Sequence, residues 1–264
     1  MTSLTFSTEL LNDVHFSTSE RMSEVPSSSV QAVICSPPYW DLKDYGHPEQ
    51  IGHGESYQRY HERMNSVWKE CHRVLVPSGT MWIVVDKIWK SGGLVIIPFD
   101  IARHCEQMGF FLQDIIVWNK PTAIAGMTRR NIVNKFEYVL FFTKEWAGFK
   151  FNQLGEIRRH QPDFDPRTGR LTNLWRFPVK AGSIRKTPDH KAPYPDELIS
   201  RIVRISTDER DTILDPYLGS GTTLKVSLEL NRRCIGYEIN RVFESVIAER
   251  VKGLQPNYQQ AKLE

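Results

Sequence analysis

The sequence predicts an α/β fold: a mostly parallel sheet with helices on both faces. Short apolar runs recur along the 264 residues, each stopped by turn residues, as expected for strands buried on both faces. Longer stretches with an apolar stripe at helical spacing alternate with these runs. The composition is globular, 40% hydrophobic and 25% charged with 16 Gly and 15 Pro, which excludes a wholly disordered, collagen-like or coiled-coil chain. At roughly 100–200 residues per domain, the length suits one large domain or one domain with an insertion.

Leu10–Val14 offers a short opening strand. Val30–Cys35 is the first clear strand; it stops at Ser36-Pro37-Pro38, because proline donates nothing to a ladder. Ser56–Leu75 sets Tyr60, Met64, Val67, Trp68, Cys71 and Leu75 on one stripe and reads as a helix. The turn Val76-Pro77-Ser78-Gly79 separates it from strand Thr80–Val85. Helix Pro98–Met108 and strands Leu112–Trp118 and Phe136–Thr143 follow. The last part alternates cleanly: helix Pro195–Ser206, strand Thr212–Leu214, helix Thr222–Leu230, strand Arg233–Tyr237 and helix Val242–Val251. Alternation of this kind makes the strands parallel, with ligands bound beyond their carboxyl ends.

Glu145–Lys186 breaks the pattern, being polar, basic and rich in Gly and Pro with scattered aromatics. It reads as an insertion, dividing the chain into 1–144, 145–186 and 187–264. Net charge is +3 overall, yet Pro121–His190 holds 13 Lys/Arg against 6 Asp/Glu. A near-neutral body with one basic region suits a polyanion approached from one side. The four cysteines (Cys35, Cys71, Cys105, Cys234) form no CxxC pair, so neither a zinc site nor a disulfide frame is expected, and a reducing cytosol is the expected setting. No apolar run approaches the roughly 18 residues of a membrane span, and Met1–Glu9 does not read as a signal peptide.

Two loops after strands carry the chemistry. Asp215-Pro216-Tyr217-Leu218-Gly219-Ser220-Gly221-Thr222-Thr223 joins a strand to a helix, and its glycines let the backbone approach a ligand closely. Glu238 follows the next strand about 20 residues on, the placement of a carboxylate that binds a ribose diol. Leu224 stands where a GxGxxG run would have its third glycine, and no GK[ST] follows, so a dinucleotide or a nucleotide phosphate is disfavoured. Asp215 instead suits a cationic adenosine ligand such as S-adenosyl-L-methionine. The second loop, Ser36-Pro37-Pro38-Tyr39-Trp40, has no proline N–H to offer. Its acceptors, the Ser36 hydroxyl and the carbonyls of Ser36 and Pro37, stand beside the ring of Tyr39 and suit an exocyclic amine. Cys35, inside an apolar strand, reads as core and not as a nucleophile.

Together these loops resemble the amino-methyltransferases that act on DNA. The order of the parts, with the Ser-Pro-Pro-Tyr loop early, a basic insertion in the middle and the glycine loop late, is similar to the β class of that family. His190-Lys191-Ala192-Pro193-Tyr194-Pro195-Asp196-Glu197-Leu198 and Gly236-Tyr237-Glu238 match its cofactor-proximal segments, and Asn12-Asp13 resembles its early cofactor contact. The resemblance implies a Rossmann-like S-adenosylmethionine-dependent methyltransferase fold with permuted motif order. It implies Ser36, Pro37, Pro38 and Tyr39 as catalytic residues. Asp13, Tyr194, Asp215, Pro216, Gly219, Ser220, Gly221, Thr222, Thr223 and Glu238 would then bind the cofactor. The substrate would be double-stranded DNA with its target base flipped out. Arg129, Arg130, Arg158, Arg159, Arg167 and Arg170 are candidates for DNA contact.

In this family serine before Pro-Pro-Tyr accompanies N4-cytosine methylation more often and aspartate N6-adenine, and Trp40 occurs with the serine form. Cytosine N4 is therefore the expected target and adenine N6 the alternative, with an RNA methyltransferase, a nicotinamide-dependent oxidoreductase and a catalytically dead DNA-binding protein as further rivals. A partner restriction endonuclease and a monomeric or homodimeric state would fit such an enzyme.

Overall fold

The computed structural model describes residues 13–121, 132–154, 162–179 and 194–254. Eight strands form the main sheet in the order β1-β10-β9-β2-β3-β7-β6-β8. They are β1 (Val14–His15), β2 (Val30–Cys35), β3 (Leu75–Val85), β6 (Phe111–Asn119), β7 (Phe136–Thr143), β8 (Leu174–Arg176), β9 (Thr212–Asp215) and β10 (Arg233–Tyr237). The short pair β4 (Ile88–Lys90) and β5 (Gly93–Val95) forms a separate antiparallel hairpin. The helices are α1 (Tyr57–Val74), α2 (Ile97–Gln107), α3 (Asp196–Ser206), α4 (Thr222–Glu229) and α5 (Glu244–Val251).

The expected strand–helix alternation is present, and β1, β10, β9, β2 and β3 are mutually parallel. Strand β7 departs from the expectation: it runs antiparallel to both β3 and β6. Without an intervening helix among the described residues, β6 and β7 pair as neighbours running in opposite directions. The hairpin β4–β5 and the strand β8 are further elements that apolar periodicity did not reveal, each being three residues long. Strand β3 also starts earlier than expected, directly after α1, because Leu75 pairs with Val30.

Period-two alternation divides the core between the faces. Met81, Ile83 and Val85 of β3 join Leu140 and Phe142 of β7 against α1 and α2. Trp82, Val84, Val139 and Phe141 point the other way, toward Leu198, Ile199 and Ile202 of α3. Trp82 stacks on Phe141 at 4.0 Å between ring centres. Helix α1 buries the stripe Tyr60, Met64, Val67, Trp68, Cys71 and Val74. It is capped by Ser56, whose hydroxyl accepts from the Arg59 N–H at 3.1 Å.

The described part of 145–186 is continuous with this core. Strand β8 extends the sheet beside β6, and Trp175 and Phe177 pack into the α3 side. Arg201 of α3 pairs with buried Asp163 at 2.6 Å and lies over the rings of Phe177 and Trp175. All four cysteines are buried and free. No helix among the described residues is long and apolar enough to cross a membrane.

Candidate active site

Parallel neighbours end on the same rim of a sheet. Ser36 follows β2, Asp86 follows β3, Asp215 ends β9 and Glu238 follows β10. Because β7 is antiparallel, its amino end reaches this rim too: Tyr138 pairs with Val85, which brings Glu137 opposite Asp86. Topology thus gathers residues about 200 positions apart in the chain.

Two adjoining cavities open there. The first, of about 120 Å3, is bounded by Ser17, Thr18 and Ser19, by Gln50 and Ile51, and by Pro216, Gly219, Glu238 and Phe243. The second, of about 410 Å3, is bounded by Ser36, Pro37 and Tyr39, by Asp86, Trp118 and Glu137, and by Tyr194, Gly219, Ser220 and Thr222. Ser36, Tyr45, Tyr217, Gly219 and Phe243 face both. The two loops singled out in the sequence therefore share one cleft.

The glycine loop is built for close approach. Gly219 and Gly221 have φ of +53° and +80°, in the left-handed region that a side chain disfavours. Gly221 precedes α4, so the first N–H groups of that helix point into the loop. The Leu218 N–H donates to the Tyr237 carbonyl at 2.8 Å, and a Cβ on Gly236 would come within 2.5 Å of Leu218 Cδ2. The Glu238 carboxylate accepts from the Gly219 N–H at 2.9 Å and from the Asn240 N–H at 2.8 Å. Acceptor capacity remains for a ligand, since a carboxylate offers about four lone pairs. Burial raises the Glu238 carboxyl above its ordinary range.

Asp215 is fully buried and lies behind the cleft wall. Its carboxylate accepts from the Tyr217 N–H at 3.0 Å and from the Tyr194 hydroxyl at 3.2 Å, and Tyr194 also meets the Thr223 hydroxyl at 2.9 Å. Burial raises this carboxyl to about 6, against the pull of these hydrogen bonds. Asp215 thus organises the loop from below and adds a negative field.

The Ser-Pro-Pro-Tyr turn is held from several sides. The buried Tyr60 hydroxyl donates to the Pro38 carbonyl at 2.9 Å. Trp40 adopts φ +47°, its indole N–H donates to the Glu55 carbonyl at 2.9 Å, and Lys90 lies over its ring. Gly52 must lack a side chain, because a Cβ there would approach the Trp40 carbonyl to 2.8 Å. The Ser36 hydroxyl stands 3.5 Å from the Tyr39 hydroxyl, which stands 3.5 Å from Glu137 Oε2. Lys120 pairs with the other oxygen of Glu137 at 2.6 Å.

Of the other expected site residues, Pro216, Ser220 and Thr222 line the cavities, whereas Asp13 is exposed at the start of β1 and is not among their lining residues. Arg167 and Arg170 are exposed on a turn outside both; Arg129, Arg130, Arg158 and Arg159 lie outside the described residues. Sequence reasoning missed Ser17–Ser19, Asp86, Trp118 and Glu137. Asp86 had a signal, because it ends a buried strand; Glu137 lay inside an apolar run and had none.

The model of the DNA methylase family, of the N6/N4 type, matches residues 30–249. This chain belongs to the DNA methylase family. Among its relatives, the Type II methyltransferase M.Cfr9I of Citrobacter freundii is 30% identical, covering 88% of this chain and 85% of that protein. M.SmaI of Serratia marcescens is 26% identical over 88% of this chain and 87% of its own. Two solved structures show the shared fold. TTHA0409 of Thermus thermophilus, complexed with S-adenosyl-L-methionine, superposes with TM-score 0.65 at 27% identity over 91% of this chain and 94% of that one. PvuII DNA methyltransferase (cytosine-N4-specific) gives 0.70 at 22% identity over 95% and 89%.

Proposed function

We propose that this DNA methylase transfers a methyl group from S-adenosyl-L-methionine to the exocyclic N4 of a cytosine flipped out of duplex DNA. The observation that carries this reading is the shared cleft: the Ser36–Tyr39 turn and the Gly219–Thr222 stretch face one cavity. The adenosine part of the cofactor is assigned to the smaller cavity and its methionine end to the adjoining one. Glu238 keeps acceptor capacity for a ribose diol, Ile51, Pro216 and Phe243 supply apolar walls for a purine, and the Gly219 backbone makes room for close contact. The cofactor supplies an electrophilic methyl on a cationic sulfur.

An amine conjugated with a ring is a poor nucleophile, because its lone pair is delocalised. The acceptors of the Ser36–Pro37 turn grip the amino hydrogens, favour a pyramidal nitrogen and disperse the positive charge that develops on it. Tyr39 provides the stacking surface that the base loses on leaving the duplex. The clamps from Tyr60, Glu55 and Gly52 keep this turn in place and hold the nitrogen in attack geometry. Pro38 spends its carbonyl on Tyr60 and so shapes the turn.

Serine at position 36 supports cytosine over adenine, following the family resemblance. Residues 145–186 are assigned target recognition, and the basic residues Arg129, Arg130, Arg158, Arg159, Arg167 and Arg170 phosphate contact. The enzyme would act in the cytoplasm as the protective half of a restriction–modification system, beside a separate endonuclease. The test is digestion of methylated DNA to nucleosides and identification of the modified base. N4-methylcytosine is expected, and N6-methyladenine alone would overturn the choice of base. Ser36→Ala and Tyr39→Ala should each lower methyl transfer by orders of magnitude while cofactor binding, followed by calorimetry, persists.

A further inference from the structure

Methylating an amine creates a proton that must be removed, and the cleft contains a route for it. As the amine nitrogen attacks, the N–C bond forms and the C–S bond breaks, its electron pair going to sulfur. The nitrogen is left with two hydrogens and a positive charge, and the neutral product R–NH–CH3 forms only when one hydrogen leaves as H+. The Ser36 hydroxyl is placed to receive it, but a hydroxyl can take a proton only while passing one on.

Two carboxylates line the same cavity, Asp86 and Glu137. Asp86 is engaged on both oxygens: the Lys87 N–H and ammonium donate to one at 2.8 and 3.2 Å, and Asn134 donates to the other. Glu137 is bound on one side only, with Lys120 on Oε1 and Oε2 turned toward the Tyr39 hydroxyl. The Lys120 backbone N–H donates to the Lys135 carbonyl at 2.7 Å, which fixes the pair at the cleft end of β6 and β7.

We propose that Glu137, steadied by Lys120, is the final acceptor of the proton released by the methylated amine, reached through the Ser36 and Tyr39 hydroxyls. Ser36 Oγ takes the amine proton as it gives its own to Tyr39 Oη, and Tyr39 gives its own to Glu137 Oε2. Atoms and charge balance: the cationic amine becomes neutral and the carboxylate becomes a carboxylic acid. The two 3.5 Å separations lie at the outer limit for hydrogen bonds, and such contacts tighten when substrate fills a site. Burial raises the Glu137 carboxyl above the usual range, so the acid form is tolerated. Burial also raises the Tyr39 phenol, so that ring relays a proton and does not remain ionised.

The inference rests on the amine-methylation reading, and one experiment separates the two. Unmethylated bacterial genomic DNA and radiolabelled S-adenosyl-L-methionine serve as substrates for single-turnover methyl transfer from pH 5 to 9. Glu137→Gln keeps the shape and the contacts with Lys120 and Tyr39 but cannot take the proton. It should bind S-adenosyl-L-methionine as the wild type does, react on the order of 100-fold more slowly, and lose the acidic limb of the pH profile. Glu137→Asp should recover part of the rate together with that limb. Tyr39→Phe keeps the ring, removes the relay hydroxyl, and should show the same loss should Glu137→Gln fail to fold. A wild-type rate in these variants, or a slower rate with an unchanged pH profile, overturns the relay alone. A wild-type enzyme that leaves no methylated amino group on the DNA overturns the underlying reading and the relay with it.

Discussion

We predict that Asp215→Asn stabilises the ligand-free protein while weakening its hold on the cofactor. Asparagine keeps an oxygen for the Tyr217 N–H, and its amide can donate to the hydroxyl of Tyr194 or Thr223, so no hydrogen-bonding group is orphaned. What disappears is a charge in a fully buried position. Burial raises this carboxyl from its ordinary 3.8 to about 6. At 1.36 kcal/mol per pH unit, ionising Asp215 in the folded chain costs about 3 kcal/mol. Between these two values the folded protein keeps a proton that the unfolded chain has released. Stability from this site is therefore present at low pH, is lost as pH rises through about 6, and is flat above. The variant should match the wild type near pH 4 and exceed it by up to about 3 kcal/mol at pH 8, or roughly 5–6 °C in Tm for a chain of this length. Scanning calorimetry without ligand from pH 4 to 8 measures this, and titration with S-adenosyl-L-methionine should show binding weakened about tenfold or more. A lower Tm at pH 8, or a gain equal at every pH, would refute the reasoning.

Three further predictions concern the frame of the site. Arg63 bonds Glu20, Glu55 and the carbonyls of Glu49 and Gln50, tying two walls of the cofactor cavity to α1. Arg63→Ala should therefore weaken cofactor binding several-fold more than it slows single-turnover transfer at saturating cofactor; an equal loss in both would contradict this. Gly236→Ala places a methyl against Leu218 and should cost about 1–3 kcal/mol by overpacking, read as a lower midpoint in urea together with looser cofactor binding. Asp163→Ala removes the 2.6 Å ion pair from the buried Arg201 guanidinium and should destabilise by about 3–5 kcal/mol. Arg201→Met with Asp163→Leu should recover most of that loss in thermal unfolding.

Much of this architecture was legible because burial on both faces imposes continuous apolar runs, as in Val30–Cys35 and Arg233–Tyr237. The loops after them were equally legible: Pro37 and Pro38 end pairing, and Gly219 and Gly221 permit a backbone that other residues resist. The direction of β7 was not legible, since Phe136–Thr143 is as apolar as its parallel neighbours and a run of residues carries no arrow. Hairpin β4–β5 and strand β8 are too short for periodicity to register. Glu137 acquires significance only from pairing across the sheet to β3, a relation no local window contains. Asp215 was legible as a charge at the glycine loop, whereas its burial and its bonds from the Tyr217 N–H and the Tyr194 hydroxyl depend on contacts that no local window contains.

Under the proposed assignment of 145–186 to target recognition, the seam between Asp163–Phe177 and the sheet bears on how the sequence preference could be changed. Transplanting all of 145–186 from a relative would remove the outermost strand, take Trp175 out of the interior and leave Arg201 without its aspartate. A chimera cut at those borders should precipitate whatever DNA contacts it imports. Exchanges confined to the Asp165–Arg170 turn would leave the seam intact, which gives a practical rule for where to cut.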